Sequence, residues 1–272
     1  MANQTPGDAL TGGRWLDISP ERIVKWLSSF VERHGGADVV PGAAAVRYVG
    51  ADGAIAECHV PFPPLQAPPA VLARGADPPE PPAAPPAVLA RGADPPEPPA
   101  APPAPVDGGG AGAIAERIAA HALADRTVGV LIVRLGGFAA GVFAGAPPRL
   151  VASKTGSRLV HGRSAAGGTS QQRFARRREK QASEALSAAA DAAAGVFDRF
   201  AGRIDAVVLG GDRLAIGRMR ADQRLRPYFD VAVQRFLTVP EPRLAVLRDT
   251  PRLFTAVRIR LIEPQPPTRA SG

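Results

Sequence analysis

The chain has 272 residues, 45% of them hydrophobic, and carries a formal net charge of +8 with an isoelectric point near 10.8. This apolar content supports a buried core and excludes a protein that is disordered throughout. The positive charge favours a polyanionic partner, either nucleic acid or an anionic membrane surface. The membrane is the weaker alternative, because no apolar run approaches the roughly 18 residues of a spanning helix and the N-terminus lacks the order of a secretory signal. We expect no membrane association and a cytoplasmic location.

The cysteine and histidine content limits the redox and metal chemistry that the chain offers. The single cysteine, Cys58, excludes an intramolecular disulfide framework and a multi-cysteine zinc site. Its alternating apolar surroundings favour a buried structural thiol over a nucleophile. The four histidines are His34, His59, His121 and His161, and they share no ligand spacing. We therefore expect neither a metal nor a cofactor.

The N-terminal part, residues 1–60, is typical of a helix followed by a β-hairpin. The pair Ser19-Pro20 predicts a helix start, with the serine as cap and the proline at the first helical position. Apolar residues then recur at helical spacing up to the next glycine pair. The alternating stretches 45–49 and 54–60 are predicted strands, joined by the turn signal Asp52-Gly53.

Residues 61–110 are a proline-rich linker with an internal duplication. The segment 67–83 recurs without change at 84–100. Because proline removes a backbone donor and fixes φ, such a segment prefers extended polyproline conformations to a packed core. Two copies are too few for a solenoid, so we interpret the region as a spacer.

Residues 111–264 alternate helical and apolar strand patterns, and residues 265–272 are a predicted disordered tail. The alanine-rich segment 113–124 predicts a helix, and the continuous apolar run 128–134 predicts a strand in the middle of a sheet. Further strands are predicted at 138–145, 150–154, 158–160, 204–209, 236–239 and 254–262, with breaks at 136–137, 147–148 and 155–156. The pattern indicates an α/β (α+β) fold in which a mixed β-sheet is flanked by helices.

A long helix is predicted from about Gln172 to Phe200, because its apolar residues fall near one stripe and its arginines off that stripe. The start of this helix is strongly basic, and Glu179 is the local opposing charge. Guanidinium groups match phosphate geometry, and RNA binding gains from counterion release, so the cluster indicates an RNA-binding surface. The candidate residues are Lys154, Arg158, Arg163, Arg173, Arg176, Arg177, Arg178 and Lys180. The alternative is a solvated, charged helix face.

The loop before this helix gives the strongest functional signal. Gly167 and Gly168 lack a Cβ, so the chain there can adopt positive φ and approach another molecule closely. Gln171 and Gln172 follow, and each carries amide donors and an amide acceptor. We interpret this Gly-Gly-x-Ser-Gln segment as an exposed polar tip that enters RNA.

Two other catalytic arrangements fit the sequence less well. Ser170 as a nucleophile lacks the second glycine of the Gly-x-Ser-x-Gly elbow and an evident His or Asp partner. A paired-carboxylate metal nuclease would use Asp205 and Asp212. Asp212 is better explained as the cap of a helix that begins near Leu214.

The order of strand, glycine pair, Ser-Gln-Gln-Arg and long basic helix resembles the Vms-like release-factor family of peptidyl-tRNA hydrolases, most closely its single-domain actinobacterial branch. The segments that carry the resemblance are 153–158, 162–168, 171–178 and 210–213. The similar regions are about 14–50 and 126–262. The resemblance implies a fold related to the middle domain of eukaryotic-type peptide-release factors. It also implies action on peptidyl-tRNA held by the large ribosomal subunit, and we expect a monomer.

The resemblance implies roles for the loop residues. Gln171 would be the catalytic amide, with Gln172 the alternative if the loop register differs by one, and Gly167 and Gly168 would permit close approach. The chain departs from the release-factor pattern because Thr169 and a serine separate the glycines from the glutamine, and members of this branch often carry a bulky aromatic at the threonine position. Two functions follow as alternatives: a hydrolase that frees nascent peptide from stalled ribosomes, and a non-catalytic ribosome- or RNA-binding factor.

Overall fold

The structure is a computed structural model that describes residues 13–65, 108–134, 136–157 and 170–264, apart from the side chains of 108–109, 170–175 and 178. The strands in the described residues are β1 (Arg14–Ile18), β2 (Ala37–Val40), β3 (Ala45–Gly50), β4 (Ile55–His59), β5 (Val128–Arg134), β6 (Gly137–Ala144), β7 (Arg149–Ser157), β8 (Ala206–Gly211), β9 (Ala232–Leu237) and β10 (Val257–Ile262). The α-helices there are α1 (Pro20–Arg33), α2 (Gly108–Leu123), α3 (Ser170–Phe197), α4 (Arg213–Met219), α5 (Arg226–Asp230), α6 (Leu244–Arg248) and α7 (Pro251–Phe254).

The strands form two five-stranded sheets. The first sheet has the order β1-β10-β4-β3-β2, and each neighbouring pair is antiparallel. The second sheet has the order β7-β6-β5-β8-β9 and is mixed, because β5 pairs antiparallel with β6 and parallel with β8. The expected fold class, a mixed α/β protein with helices against the sheet, is confirmed, with the strands divided between two sheets.

The helices α1 and α2 lie together on the apolar face of the first sheet. α1 begins at Pro20 as predicted, with Ser19 in extended backbone, although the serine side chain forms no capping hydrogen bond. In α2, the Ala111 carbonyl accepts a hydrogen bond from Tyr48 Oη of β3 at 3.0 Å. α2 therefore belongs to the core of the first sheet, although it follows the linker in sequence.

The second sheet is covered on both faces. α3 packs on one face through an alanine-rich side that ends in Val196 and Phe197. On the other face, Phe62, Leu247 and Phe254 pack against the apolar residues of β5 and β8. Burial on both faces explains why β5, with the sequence VGVLIVR, is apolar without alternation, as its sequence predicts.

Several strand boundaries differ from the sequence-based expectation. The predicted break at 155–156 is wrong, because β7 continues through these residues. Gly156 instead leaves room for the Phe138 ring, since a Cβ at position 156 would lie 2.6 Å from that ring. The short edge strands β1 and β2 are not predicted from the sequence. β9 begins at Ala232, ahead of the predicted 236, and Phe254 ends α7 and precedes β10.

Other expectations fall on buried or undescribed segments. Cys58 is buried as predicted, and its burial raises the pKa of the thiol, which keeps it protonated. The predicted strand 158–160, most of the linker (66–107) and the tail 265–272 lie outside the described residues. The domain boundaries stay predictions.

No helix in the described part of the chain is both long and apolar enough to cross a membrane.

Gly211 joins β8 to α4 in a left-handed conformation. Its φ is +93°, and a Cβ at this position would lie 2.2 Å from the Val133 carbonyl oxygen. The backbone N–H of Asp212 donates to the same carbonyl at 2.7 Å, which holds this turn against β5. Only glycine therefore fits at this position without displacing the strand.

We expect Gly211→Ala to lower the free energy of unfolding by about 1–3 kcal/mol, because the substitution adds backbone strain and a steric contact with β5. Gly217→Ala in α4 is the matched control, since a Cβ there meets nothing within 4 Å. Alanine at that helical position should stabilise by up to about 1 kcal/mol. Urea denaturation of both variants tests the expectation, and equal stability of the two would contradict it.

Candidate functional site

The candidate site lies at the edge of the second sheet where β5, β7 and β8 end. β7 is parallel to β5, because both pair antiparallel with β6. A cleft of about 250 Å³ opens at this edge between α3, α4 and the turn from β5 to β6. Its lining includes Gly136, Ala182, Leu186, Leu214 and Arg218. α3 therefore passes the edge of the sheet at about residue 182.

The first part of α3 extends beyond the sheet. At a rise of 1.5 Å per residue, the backbone of Gln171 lies about 16 Å from that of Ala182 along the helix axis. Ala185 is the first fully buried residue of α3 among those whose side chains are described. From there to the helix end, an alanine-rich face packs on the sheet. The helix is thus anchored by its C-terminal half and presents its N-terminal half beyond the edge.

The predicted glutamines lie in the first turn of α3. The helix begins at Ser170, ahead of the expected start at about Gln172, so Gln171 belongs to the helix and not to the preceding loop. The first backbone N–H groups of an α-helix have no acceptor within the helix, and the helix dipole places partial positive charge there. The backbone of Gln171 is therefore suited to donate to an anionic group.

The described cations of the predicted RNA-binding set are exposed at the same end of the molecule. Arg176, Arg177 and Lys180 are exposed on α3, together with Glu179. Lys154 is exposed on β7, three residues before the strand ends, on the face that α3 covers. The structure therefore brings these four cations to one edge of the second sheet.

Some predicted residues cannot be placed. Gly167, Gly168, Thr169, Arg158, Arg163 and His161 lie outside the described residues. Arg173 and Arg178 lie in α3, but their side chains are not described. The roles assigned to this loop therefore remain predictions.

α4 adds exposed cations that the sequence reasoning did not assign to the site. Arg213, Arg218 and Arg220 are exposed on or directly after α4, which starts at the same sheet edge. The guanidinium carbon of Arg213 lies 4.3 Å from the centre of the Phe236 ring, a cation–π contact that orients the side chain. The basic composition of 213–220, directly after a predicted strand end, was the available signal.

The two carboxylates of the alternative nuclease site lie at opposite ends of β8. Asp205 precedes the strand and accepts a hydrogen bond from the Thr127 N–H at 2.7 Å. Asp212 follows the strand and accepts from the Leu214 N–H at 2.8 Å, which confirms it as the cap of α4. The six-residue strand separates them by about 20 Å, so they cannot share a metal ion. Among the described residues, no group of three or more His, Cys, Asp or Glu could hold a metal ion.

The part of the chain that contains the candidate site is similar to a known protein family. Residues 126–260 match the family model described as Actinobacteria/chloroflexi VLRF1 release factor. This segment belongs to that release-factor family. It contains the whole second sheet, α3 and α4, and therefore the entire candidate site. The family expected from the sequence is confirmed, and release factors of this kind act in translation termination or ribosome rescue.

A solved structure is also similar to the chain. It is the crystal structure of an archaeal translation termination factor, aRF1, which is 16% identical, with a TM-score of 0.36 over 47% of this chain and 36% of that chain. The chain thus matches little more than a third of the archaeal factor's length. No protein of curated function matches the chain significantly.

Asp212→Ala is expected to lower the free energy of unfolding by about 0.5–2 kcal/mol, because the first N–H groups of α4 lose their acceptor. Asp212→Ser, which keeps a capping oxygen, is the matched control and should recover most of the loss. Urea denaturation with and without Mg²⁺ measures both. Stabilisation of the unmutated protein by Mg²⁺ that is lost in Asp212→Ser would instead indicate a metal ligand.

Proposed function

We propose that the protein is a peptidyl-tRNA hydrolase that acts on the large ribosomal subunit and frees nascent peptide from stalled complexes. The family match over residues 126–260 carries the proposal. The extension of α3 beyond the sheet and the exposed cations along it support the proposal. The protein acts as a cytoplasmic monomer without a cofactor, and its substrate is the ester between the peptide and the terminal ribose of tRNA.

The reaction needs few chemical groups from the protein. A water oxygen attacks the ester carbonyl carbon and forms a tetrahedral oxyanion. The oxyanion collapses, the bond from carbon to the ribose oxygen breaks, and that oxygen takes a proton. The products are a peptide carboxylic acid and a tRNA with a free ribose hydroxyl. An oriented water and a donor to the oxyanion lower the barrier, and the ribosome supplies most of the cavity.

Gln171 provides both contributions. Its amide does not titrate near neutral pH, so it does not act as a general base; its carbonyl oxygen accepts a hydrogen bond from the attacking water and orients it. Its backbone N–H, in the first turn of α3, donates to the oxyanion, a contact of about 2.7–4 kcal/mol in comparable enzymes. Gln172 is the alternative catalytic amide if the loop register differs by one. Gly167 and Gly168 allow the backbone to approach the RNA without a Cβ in the way.

The basic residues hold the loop in place. α3 is a rigid support, because its C-terminal half is packed on the second sheet and its N-terminal half reaches outward. Phosphates of ribosomal RNA or of the tRNA acceptor end pair with the cations around its start. These cations are Lys154, Arg158, Arg163, Arg173, Arg176, Arg177, Arg178 and Lys180.

Peptide release tests the catalytic assignment. Labelled peptidyl-tRNA on purified large subunits should be hydrolysed by the unmutated chain. Gln171→Ala should slow release by about 10²-fold at matched binding, because the water is no longer oriented while the backbone N–H that donates to the oxyanion is kept. Gln172→Ala should have a small effect. Gln181→Ala is the control, because Gln181 is a glutamine of the same helix near the sheet edge.

The outcomes separate the two functions. Tight binding with no release by the unmutated chain would reject the hydrolase and favour the non-catalytic ribosome-binding factor, in which Thr169 and its neighbours silence the loop. Release that is lost in Gln172→Ala and kept in Gln171→Ala would exchange the roles of the two glutamines.

Salt dependence tests the RNA-binding surface. Replacing Arg176 and Arg177 by alanine should weaken binding to the large subunit and reduce the slope of log K against log salt by about 0.7–0.9 per lost phosphate contact. Arg199→Ala is the control, because Arg199 is exposed just beyond the opposite end of α3. Binding measured across a KCl series gives the slopes, and equal slopes for the double variant and Arg199→Ala would contradict the assignment.

A further inference from the structure

The first sheet has an aromatic and charged face opposite α1 and α2. Successive residues of a strand point to opposite faces, so Trp15, His59 and Arg258 lie away from the buried residues of β1, β4 and β10. The described helices that pack on the first sheet, α1 and α2, both lie on its opposite face. Trp15 is 47% exposed, which leaves part of its indole available for contact.

Two neighbours hold the indole in position. The guanidinium carbon of Arg258 lies 4.6 Å from the Trp15 ring centre, and the His59 ring centre lies 5.3 Å away at an interplanar angle of 50°. His59 Nε2 is buried and forms no hydrogen bond within the described residues, although it lies 3.4 Å from a Glu57 carboxylate oxygen. Burial lowers the pKa of His59, so the ring is neutral at neutral pH. Trp15, His59 and Arg258 together form an ordered platform of two aromatic rings and a guanidinium group.

A cleft of about 240 Å³ opens beside this platform, where the first sheet meets β9. Trp15, His59 and Phe254 contribute rings to its lining, and Arg235 and Arg258 contribute guanidinium groups. None of the described residues that line it is acidic. The cleft therefore combines flat apolar surfaces with positive charge.

The two arginines make the cleft attractive to an anion. Arg235 is 16% exposed; its Nη2 donates to Asp17 Oδ1 at 2.8 Å and its Nη1 to the Ala256 carbonyl. Burial lowers the pKa of Arg235, Asp17 opposes this effect, and the nearby charge of Arg258 lowers the pKa further. An anion bound in the cleft would relieve the repulsion between the two guanidinium groups.

We propose that this cleft binds a nucleotide of single-stranded RNA, with the base stacked on Trp15 and a phosphate paired with Arg258 and Arg235. Stacking on an exposed aromatic ring together with guanidinium pairing to phosphate is how proteins bind unpaired nucleotides without sequence preference. A free mononucleotide offers the same base and phosphate. RNA is the source that fits a chain of net charge +8, because it adds flanking phosphates.

The proposal does not depend on peptide release. Trp15 and His59 precede the family-matched range 126–260, and they lie on the first sheet, whereas Gln171 is in the helix that packs on the second. Loss of nucleotide binding at the cleft and loss of hydrolysis can therefore be measured separately.

Tryptophan fluorescence reports on the cleft directly. The chain has two tryptophans, and Trp26 stacks on Phe30 within α1, so Trp26→Phe leaves Trp15 as the sole reporter while keeping a ring in that contact. Titration with a single-stranded oligoribonucleotide of about eight nucleotides should quench Trp15 fluorescence to saturation. AMP should bind at least about tenfold more weakly, because it lacks flanking phosphates.

Substitutions then identify the contacts. Arg258→Ala should weaken binding of the oligoribonucleotide by about tenfold or more, and Arg258→Lys, which keeps the charge, should recover part of the loss. Arg22→Ala removes the same charge from α1, on the other face of the sheet, and should change affinity less than about twofold. Fluorescence anisotropy of labelled RNA with Trp15→Ala and Trp15→Phe, each checked for folding by circular dichroism, should show loss only for alanine.

Three results would overturn the proposal. The first is the absence of Trp15 quenching by the oligoribonucleotide. The second is an equal loss of affinity in Arg22→Ala and Arg258→Ala, which would indicate a general charge effect. The third is AMP binding as tightly as the oligoribonucleotide, which would assign the cleft to a free mononucleotide.

Discussion

The packing of α3 on the second sheet is the contact on which the candidate site depends. The small side chains of Ala189 and Ala193 let the helix lie close to the strands. At the end of the helix the Phe197 ring packs directly over Gly129 of β5. A Cβ on Gly129 would lie 3.2 Å from the Phe197 ring. The centre of the Phe197 ring also lies 5.1 Å from the centre of the Tyr228 ring. Because this end is fixed, the exposed residues 176, 177, 179 and 180 of the other half keep a defined direction relative to the sheet.

The family-matched segment and the residues before it build the first sheet together, through β10. The family-matched range ends within this strand, yet both of its neighbours, β1 and β4, come from residues before that range. Without them β10 would expose unpaired backbone groups on both edges. The N-terminal strands therefore complete a strand that the release-factor segment supplies. The ion pair between Arg235 of β9 and Asp17 of β1 links the two sheets directly.

Local signals in the sequence predicted those parts that neighbouring residues determine. The cap at Asp212, the hairpin turn at Gly53 and the doubly buried strand β5 follow from short patterns and are confirmed. Strands β1 and β2 were missed, because a short edge strand is defined by its distant partner and not by its own pattern. The cleft at Trp15 could not be predicted for the same reason: only the pairing of β1 with β10 brings Arg258 to the indole.

The proposed peptide release depends more on where Gln171 is placed than on the number of catalytic groups. In the proposed reaction, water attack on the ester needs one positioned amide, and that amide must be held in a fixed direction at a cavity that the ribosome provides. The exposed cations of α3, β7 and α4 all lie at one edge of the second sheet, so they fix the protein on RNA at one place only. A second RNA contact on the first sheet, at Trp15 and Arg258, would fix the orientation of the protein as well, because two linked contacts raise each other's effective concentration.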